Sequence, residues 1–116
     1  MGDPRALFWR FESHEDVPVG FGGLEVHGDE ALLHSVVTLP PLRELGMGAA
    51  IVAALEDEAR AHRCRAIYLL TESERDFFAR LGYAACAPGD VPDAVRNSGR
   101  FKRLCDSAAV MVKHVG

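Results

Sequence analysis

The segment that decides the fold is Leu39-Pro40-Pro41-Leu42-Arg43-Glu44-Leu45-Gly46-Met47-Gly48-Ala49-Ala50, which carries the spacing Arg-x-x-Gly-x-Gly. Its two prolines prevent the preceding apolar strand from continuing. Gly46 and Gly48 remove side chains where a helix begins, so several free backbone N–H groups can face a bound anion. Arg43 adds a bidentate donor at the mouth of the loop. The segment therefore predicts a phosphate-binding unit of strand, loop and helix.

The same residues also have simpler explanations. Two glycines suit an ordinary tight turn before a helix, and Arg43 suits a solvated loop. A second glycine-rich stretch, Gly20-Phe21-Gly22-Gly23, is a poor match to a dinucleotide-binding loop because no helix is predicted after it. The phosphate interpretation therefore needs support from elsewhere in the chain.

Composition limits the class of protein. With 116 residues, 48% of them hydrophobic, the chain can bury roughly two thirds of its unfolded surface, and we expect a single domain over 1–116. Thirteen basic and seventeen acidic residues give a net charge of −4 without a basic run, so nucleic acid is not an expected partner. No apolar run approaches the roughly 20 residues of a membrane span, and the N-terminus lacks a signal-peptide core. We therefore expect a cytoplasmic protein without a membrane partner.

The cysteines and histidines argue against disulfide and metal sites. Three widely spaced cysteines fit reduced thiols better than a disulfide framework, and we expect Cys86 and Cys105 to be buried. The five histidines include no pair at helical ligand spacing with a carboxylate between them. The sequence therefore predicts no metal site.

Hydrophobic periodicity predicts the element order βββαβαβ(α)β. Three alternating stretches joined by turns indicate an antiparallel meander, and the glycines of the second stretch indicate a bulge or a close backbone approach. The apolar run 66–71 indicates a central strand covered on both faces, with parallel pairing nearby. On the long helix, Glu56 and Arg60 are predicted to pair. The predicted strands are 7–12, 19–27, 31–39, 66–71, 83–87 and 108–114, and the predicted helices are 46–62, 74–81 and a third that Asp90 caps and Gly99 ends.

The loop at 39–50 resembles the coenzyme A pyrophosphate loop of the GNAT family of N-acetyltransferases, in which Arg or Gln-x-x-Gly-x-Gly or Ala separates a strand from a helix. The segment 67–71, followed by Phe77-Phe78-Ala79-Arg80-Leu81-Gly82-Tyr83, is similar to the family's later strand and its Phe-Tyr-x-x-x-Gly-Phe helix. The C-terminal part from 90 to 113 resembles a subgroup associated with arsenic-resistance clusters and related to arsinothricin and phosphinothricin acetyltransferases.

The resemblance implies an α/β (α+β) three-layer fold with a mixed, mostly antiparallel sheet. It also implies that the family's usual first strand and opening helices are missing. A sheet without that strand would expose an edge, so we expect a homodimer that shields the edge or completes the acceptor pocket.

The resemblance further implies direct transfer of an acetyl group from acetyl-coenzyme A (acetyl-CoA) to a primary amine of a small acceptor, for which an amino-acid-like molecule is one candidate. The positions that it places at the cosubstrate are Val36, Val37 and Thr38 along the pantetheine arm, Arg43, Glu44, Leu45, Gly46, Met47, Gly48 and Ala49 at the pyrophosphate, and Thr71 and Phe78 nearby. Arginines at 96, 100 and 103 either meet an acceptor carboxylate or form a solvated helix face.

Three residues are candidates for the general base that an ammonium acceptor requires. Glu25 and His27 share one strand face by the period of two, and His34 lies on the neighbouring strand just before the stretch assigned to pantetheine. Each of the three also suits a structural or solvated role.

Three departures from the family pattern favour an alternative, namely the missing opening elements, Glu44 and Phe78. Glu44 would place a carboxylate beside the pyrophosphate, and Phe78 replaces the tyrosine that often protonates the leaving thiolate. Core packing also explains Phe78. A general acid would have to be water, Tyr68, Ser73 or Tyr83, or be absent. The alternative function is a catalytically weak or inactive acetyl-CoA-binding module with a regulatory role.

Overall fold

The structure, a computed structural model, describes residues 5–12, 18–38 and 47–116. The strands are β1 (Arg5–Glu12), β2 (Pro18–His27), β3 (Glu30–Thr38), β4 (Ala66–Thr71), β5 (Ala84–Ala85) and β6 (Ala109–His114). The helices are α1 (Met47–Ala61), α2 (Arg75–Arg80), α3 (Asp93–Arg96) and α4 (Gly99–Leu104), with a 3-10 turn at Pro88–Asp90. This order confirms the predicted βββαβαβ(α)β.

The strands form one sheet in the order β1-β2-β3-β4-β6-β5. Neighbouring strands run antiparallel except β3 and β4, which are parallel from Glu30 opposite Ala66 to Leu33 opposite Leu69. A parallel pair needs a crossover connection, and α1, which lies between β3 and β4 in the sequence, packs on one face of the sheet. The predicted mixed, mostly antiparallel sheet is confirmed.

Helices cover both faces of the sheet. Strand side chains alternate between the faces, so Leu33 packs on the α1 and α2 side whereas Leu32 packs on the α3 and α4 side. The first cluster includes Leu24, Leu33, Ile51, Leu55, Leu69 and Phe78, and the second includes Leu32, Tyr68, Val95, Phe101 and Val110. The predicted three-layer arrangement is therefore confirmed.

A glycine in β2 lets α1 approach the sheet. A Cβ atom on Gly22 would lie 2.7 Å from Leu55 Cδ1, closer than a well-packed core tolerates, and would be in ordinary contact with Ile51 Cγ2 at 3.4 Å. The prediction of a close backbone approach at the β2 glycines is confirmed. Since β2 continues past these glycines to His27, they do not form a dinucleotide-binding turn into a helix.

The predicted pair of Glu56 with Arg60 is wrong. Glu56 is only 6% exposed; it accepts hydrogen bonds from the Tyr83 hydroxyl at 2.9 Å and from Lys113 Nζ at 3.2 Å. Arg60 instead pairs with Asp57 at 3.0 Å. Helical spacing allowed the Glu56–Arg60 pair, but the packing of α1 on the sheet turned Glu56 inward, where a buried carboxylate needs fixed donors.

The segment after β5 also corrects the sequence prediction. Asp90 ends a 3-10 turn and Pro92 is the N-cap residue of α3, so Asp90 does not cap the helix. Gly99 begins α4 instead of ending a helix, because the Ser98 Oγ accepts a hydrogen bond from the Phe101 N–H at 3.1 Å and caps the new helix. Phe101, 2% exposed, then anchors α4 to the sheet.

The three cysteines are free thiols, as predicted. Cys64 is buried, whereas Cys86 and Cys105 are half-buried beside the α4-side cluster. The expectation that both Cys86 and Cys105 are buried is therefore wrong in degree. Burial raises the pKa of the Cys86 thiol, with a further contribution from Asp90, so this sulfur is not an activated nucleophile.

Candidate functional site

The pairing of β3 with β4 ends before either strand ends, and the region between their unpaired ends is called the cleft. Their paired register ends at Leu33 and Leu69, although β3 continues to Thr38 and β4 to Thr71. At the end of β4, the Thr71 Oγ1 accepts a hydrogen bond from the Glu74 N–H at 2.9 Å and so fixes the turn into α2. Because the strands are parallel, both carboxyl ends lie at the same edge of the sheet, the usual place for a ligand in such folds.

A bulge diverts β3 at this point. Phe21 pairs with Val37 but Gly23 pairs with His34, so Ser35 and Val36 together lie opposite a single residue of β2. Ser35 has a φ of 55°, in the left-handed region that non-glycine residues seldom adopt. A bulge leaves its extra residue unpaired and bends its strand, which explains how the end of β3 leaves the register of β4.

The first turn of α1 lies at the same edge. Met47, Gly48 and Ala49 are its first residues and are half-buried, and this turn contains no acidic side chain. The first N–H groups of a helix have no intrahelical acceptor, and the helix dipole adds positive potential there. The turn can therefore hold an anion. Arg43, Glu44, Leu45 and Gly46 lie outside the described residues, as does the side chain of Thr38.

A buried ion pair lies on the sheet face opposite α1. Glu25, 9% exposed, accepts hydrogen bonds from His27 Nε2 at 3.1 Å and from Arg100 Nε at 3.2 Å. The prediction that Glu25 and His27 share one face is confirmed. Sequence reasoning missed the role of Arg100, which is 75 positions away from its partner, and no local signal could have joined them.

His34 lies on the same face, above a glycine. A Cβ on Gly23 would be 2.5 Å from His34 Cε1, so the glycine makes room for the imidazole ring. The ring centroid is 6.4 Å from that of Phe8, and Nδ1 lies 3.0 Å from the Ser35 hydroxyl oxygen. His34 Nε2 is buried, and no atom of the described chain is hydrogen-bonded to it.

The surroundings of His34 favour its neutral form. Burial lowers the pKa of His34, the positive charge of Arg100 lowers it further, and the negative charge of Glu25 opposes both effects. A neutral imidazole has one nitrogen with an available lone pair. If Nδ1 carries the proton and donates it to Ser35, that lone pair is on the buried Nε2.

Phe78 is a core residue, and Thr71 is a buried residue at the end of β4. Phe78 is 8% exposed and makes edge-on contacts with Phe77 and Tyr83 at centroid distances of 5.0 and 5.7 Å. Its phenyl ring has no proton to donate. The Tyr83 hydroxyl is committed to Glu56, and burial raises the pKa of Tyr83 and of Tyr68, so neither phenol is a ready acid.

Within the described ranges 5–12, 18–38 and 47–116, no group of three or more His, Cys, Asp or Glu side chains is placed to hold a metal ion. Among the helices of these ranges, none has both the length and the apolar composition needed to cross a bilayer.

Known proteins resemble this chain in sequence and in fold. It is 29% identical over 83 residues to YyaT, an uncharacterised protein of Bacillus subtilis, and the match covers 71% of this chain and 56% of that protein. The chain thus spans little more than half the length of this relative.

Solved structures share the fold. The N-acetylglutamate synthase of Neisseria gonorrhoeae, complexed with coenzyme A and N-acetyl-glutamate, superposes with a TM-score of 0.81 at 19% identity, covering 94% of this chain and 26% of that one. The Rv2747 protein of Mycobacterium tuberculosis, in complex with CoA and NLQ, gives 0.79 at 25% identity over 95% of this chain and 76% of that one. A family model described as the acetyltransferase (GNAT) family matches residues 1–83. The chain therefore belongs to the acetyltransferase (GNAT) family.

Proposed function

We propose that this protein transfers an acetyl group from acetyl-CoA to the primary amine of a small acceptor. The observation that carries the proposal is the parting of β3 and β4 after Leu33 and Leu69, at the edge of the sheet where α1 begins. Similar folds in which CoA is bound, those of the N. gonorrhoeae and M. tuberculosis proteins, support it.

The two walls of the cleft suit the two parts of the cosubstrate. The backbone of Val36, Val37 and Thr38 would pair with the pantetheine arm as an added strand does. The N–H groups of Met47, Gly48 and Ala49 would receive the pyrophosphate. Arg43, Glu44, Leu45 and Gly46 of the preceding loop would complete that anion site, while Thr71 and Phe78 belong to the β4 side. Bound acetyl-CoA supplies the activated thioester carbonyl.

His34 is the residue that we propose as proton acceptor. An acceptor ammonium has no free electron pair, so a proton must leave before attack. Glu25 already accepts from His27 and Arg100, whereas the buried His34 Nε2 has no partner among the described atoms. An unsatisfied buried acceptor costs about 1–3 kcal/mol, and an amine N–H would relieve that cost. Glu25 and His27 would lie beside His34 on the same face of the sheet.

An amino-acid-like acceptor is the class that we propose to test first. Its carboxylate would need a cation, and Arg100, which uses Nε for Glu25, has two further guanidinium nitrogens. Relatives of arsinothricin and phosphinothricin belong in the test panel, because the C-terminal part resembles that acetyltransferase subgroup.

The test has two stages. Calorimetric titration with acetyl-CoA should give saturable one-site binding. Incubation with a panel of primary amines, amino acids included, should then give a product heavier by one acetyl group in mass spectra. Absence of any acetyl-CoA binding would refute the proposal.

The alternative proposal is a regulatory module that binds acetyl-CoA without turnover. The core position of Phe78, which has no proton to donate, favours it. Saturable acetyl-CoA binding combined with no acetylated product from any amine in the panel would support this alternative over catalysis.

We also propose a homodimer. β1 is one of the two edge strands of the described sheet, and its Phe8 side chain is 60% exposed. A second copy would cover this edge. Sedimentation at high concentration should give a dimer mass, and a monomer mass would overturn the idea. A cytoplasmic location stays a prediction from the sequence.

A further inference from the structure

Glu25 of β2 and Arg100 of α4 form an ion pair in which the carboxylate is largely buried. The Glu25 carboxylate lies near the C-terminal end of β2 with 12% of its side chain exposed, and the Arg100 guanidinium reaches it from α4 with 31% exposed. Removing a buried carboxylate from water is costly unless fixed donors replace the water. His27 and Arg100 supply those donors, one to each carboxylate oxygen.

This pair lies next to His34. Gly23 is directly opposite His34 in the register, and Glu25 is two residues further along the same face of β2, about 6.6 Å away along the strand. The imidazole therefore lies over Gly23 within reach of one positive and one negative charge.

The other titratable and charged groups facing this region do not set the charge state of His34, which therefore depends on Glu25 and Arg100. His27 is hydrogen-bonded to Glu25. Tyr68 of β4 keeps its proton, since burial raises its pKa. On β1, Arg10 and Glu12 pair with each other at 2.9 Å, and the Arg10 side chain is 74% exposed, so solvent screens them.

We propose that Arg100 is a positioning residue of the acyl-transfer site: paired with Glu25, it keeps a positive charge beside His34 and holds that imidazole ready to take a proton from the acceptor. The inference rests on the proposed function for its catalytic consequence. Arg100 lies outside the segment 1–83 matched by the family model. α4 would therefore add an influence on the charge state of His34 that the segment 1–83 does not contain.

The proposed step moves one proton from the acceptor ammonium to His34. One N–H bond of the acceptor ammonium breaks and leaves its electron pair on the amine nitrogen, while a new N–H bond forms at His34 Nε2. The resulting imidazolium is disfavoured by Arg100 and favoured by Glu25. Arg100 thus keeps the base unprotonated before the acceptor arrives, and Glu25 stabilises the proton once it has moved.

The decisive measurement is an NMR titration of the His34 Cε1 proton in the whole chain, with His34→Gln identifying the resonance. Arg100→Gln should raise the pKa of His34, because Glu25 is then unopposed. Glu25→Gln should lower it. Arg96→Gln should leave it unchanged, because Arg96 is a surface residue that pairs with Asp93. Arg100→Lys should restore most of the original value.

Turnover provides the second readout. The acid limb of kcat/KM should move to higher pH in Arg100→Gln and recover in Arg100→Lys. Equal titration curves for wild type, Arg100→Gln and Glu25→Gln would overturn the inference. If the Arg100→Gln variant does not fold, the His34 titration curves of Glu25→Gln and Arg100→Lys test the inference in its place. The protein could show the expected shifts in the His34 titration curves and yet acetylate no amine. That result would contradict the proposed catalysis but would support the charge coupling of Arg100 and Glu25 to His34.

Discussion

The Tyr83 hydroxyl donates a hydrogen bond to Glu56 at 2.9 Å and so joins the residues after α2 to the centre of α1. Lys113 of β6 contacts the same carboxylate at 3.2 Å and donates to the Leu81 carbonyl at 2.9 Å. The segment that follows α2 and strand β6 are therefore both tied to a single buried carboxylate of α1. This network lies apart from the cleft, and we expect it to control stability more than chemistry.

Removing the Tyr83 hydroxyl should destabilise the fold. Tyr83→Phe leaves one acceptor position of a buried carboxylate empty, and we expect a loss of about 1–3 kcal/mol in the free energy of unfolding, measured with urea. Tyr68→Phe is the matched control, because Tyr68 is also buried but its hydroxyl makes no hydrogen bond to the described residues. Equal losses in the two variants would show that the contact with Glu56 adds nothing.

The same hydroxyl should make stability fall at alkaline pH. Burial, the charge of Glu56 and the hydrogen bond to it raise the pKa of Tyr83 above its ordinary value of 10.0. The unfolded chain therefore releases this proton near pH 10 while the folded chain keeps it, so its contribution is complete below that pH and declines above it. Urea unfolding from pH 8 to 11 should show this decline. In Tyr83→Phe the slope should be smaller by up to about 1.4 kcal/mol per pH unit, and an unchanged slope would contradict the assignment.

A side chain at position 22 should destabilise the fold. An added Cβ would lie 2.7 Å from Leu55 Cδ1, so Gly22→Ala should displace the Leu55 side chain or α1 at a cost of about 1–3 kcal/mol. Gly89→Ala is the control, since a Cβ there meets nothing within 4 Å. Chemical denaturation of both variants checks this. The packing account predicts that Leu55→Ala, added to Gly22→Ala, costs less than the sum of the two single changes.

Acetyl-CoA binding should depend on the first turn of α1. A carboxylate there is favourable for the helix itself but repels a bound pyrophosphate, so Gly48→Glu should weaken acetyl-CoA binding by about tenfold or more without loss of stability. Ala53→Glu places the same charge on an exposed position of the same helix and should bind normally. Calorimetry compares the two variants, and equal affinities would mean that the anion lies elsewhere.

Local patterns predicted much of the fold. Alternation marked β1, β2 and β3, a continuous apolar run marked β4, and the glycines of β2 marked the place where α1 approaches. Each of these features depends on neighbours within a few residues, whose periodicity reflects which face is buried. The Arg-x-x-Gly-x-Gly spacing was similarly local, and it indicated the family before any tertiary contact was known.

Predictions that depended on distant partners were less secure. Helical spacing predicted a pair of Glu56 with Arg60, but Tyr83, which follows α2, and Lys113 of β6 contact Glu56 instead. The predicted single helix between Asp90 and Gly99 is instead two short helices, α3 and α4, and Ser98 caps the second. Phe101 of α4 is held against strands that lie far away in the sequence.

By itself, the sequence determined the order of elements, the burial of the central strand and the membership of the family, since these follow from short-range periodicity, one loop motif and a second matching segment downstream. Tertiary structure alone decided which charges meet. Glu25 and Arg100 are separated by 75 positions, and only the docking of α4 on the sheet face opposite α1 brings them together beside His34. Because electrostatic interaction depends on distance in space and on burial, their partnership had no signature along the chain.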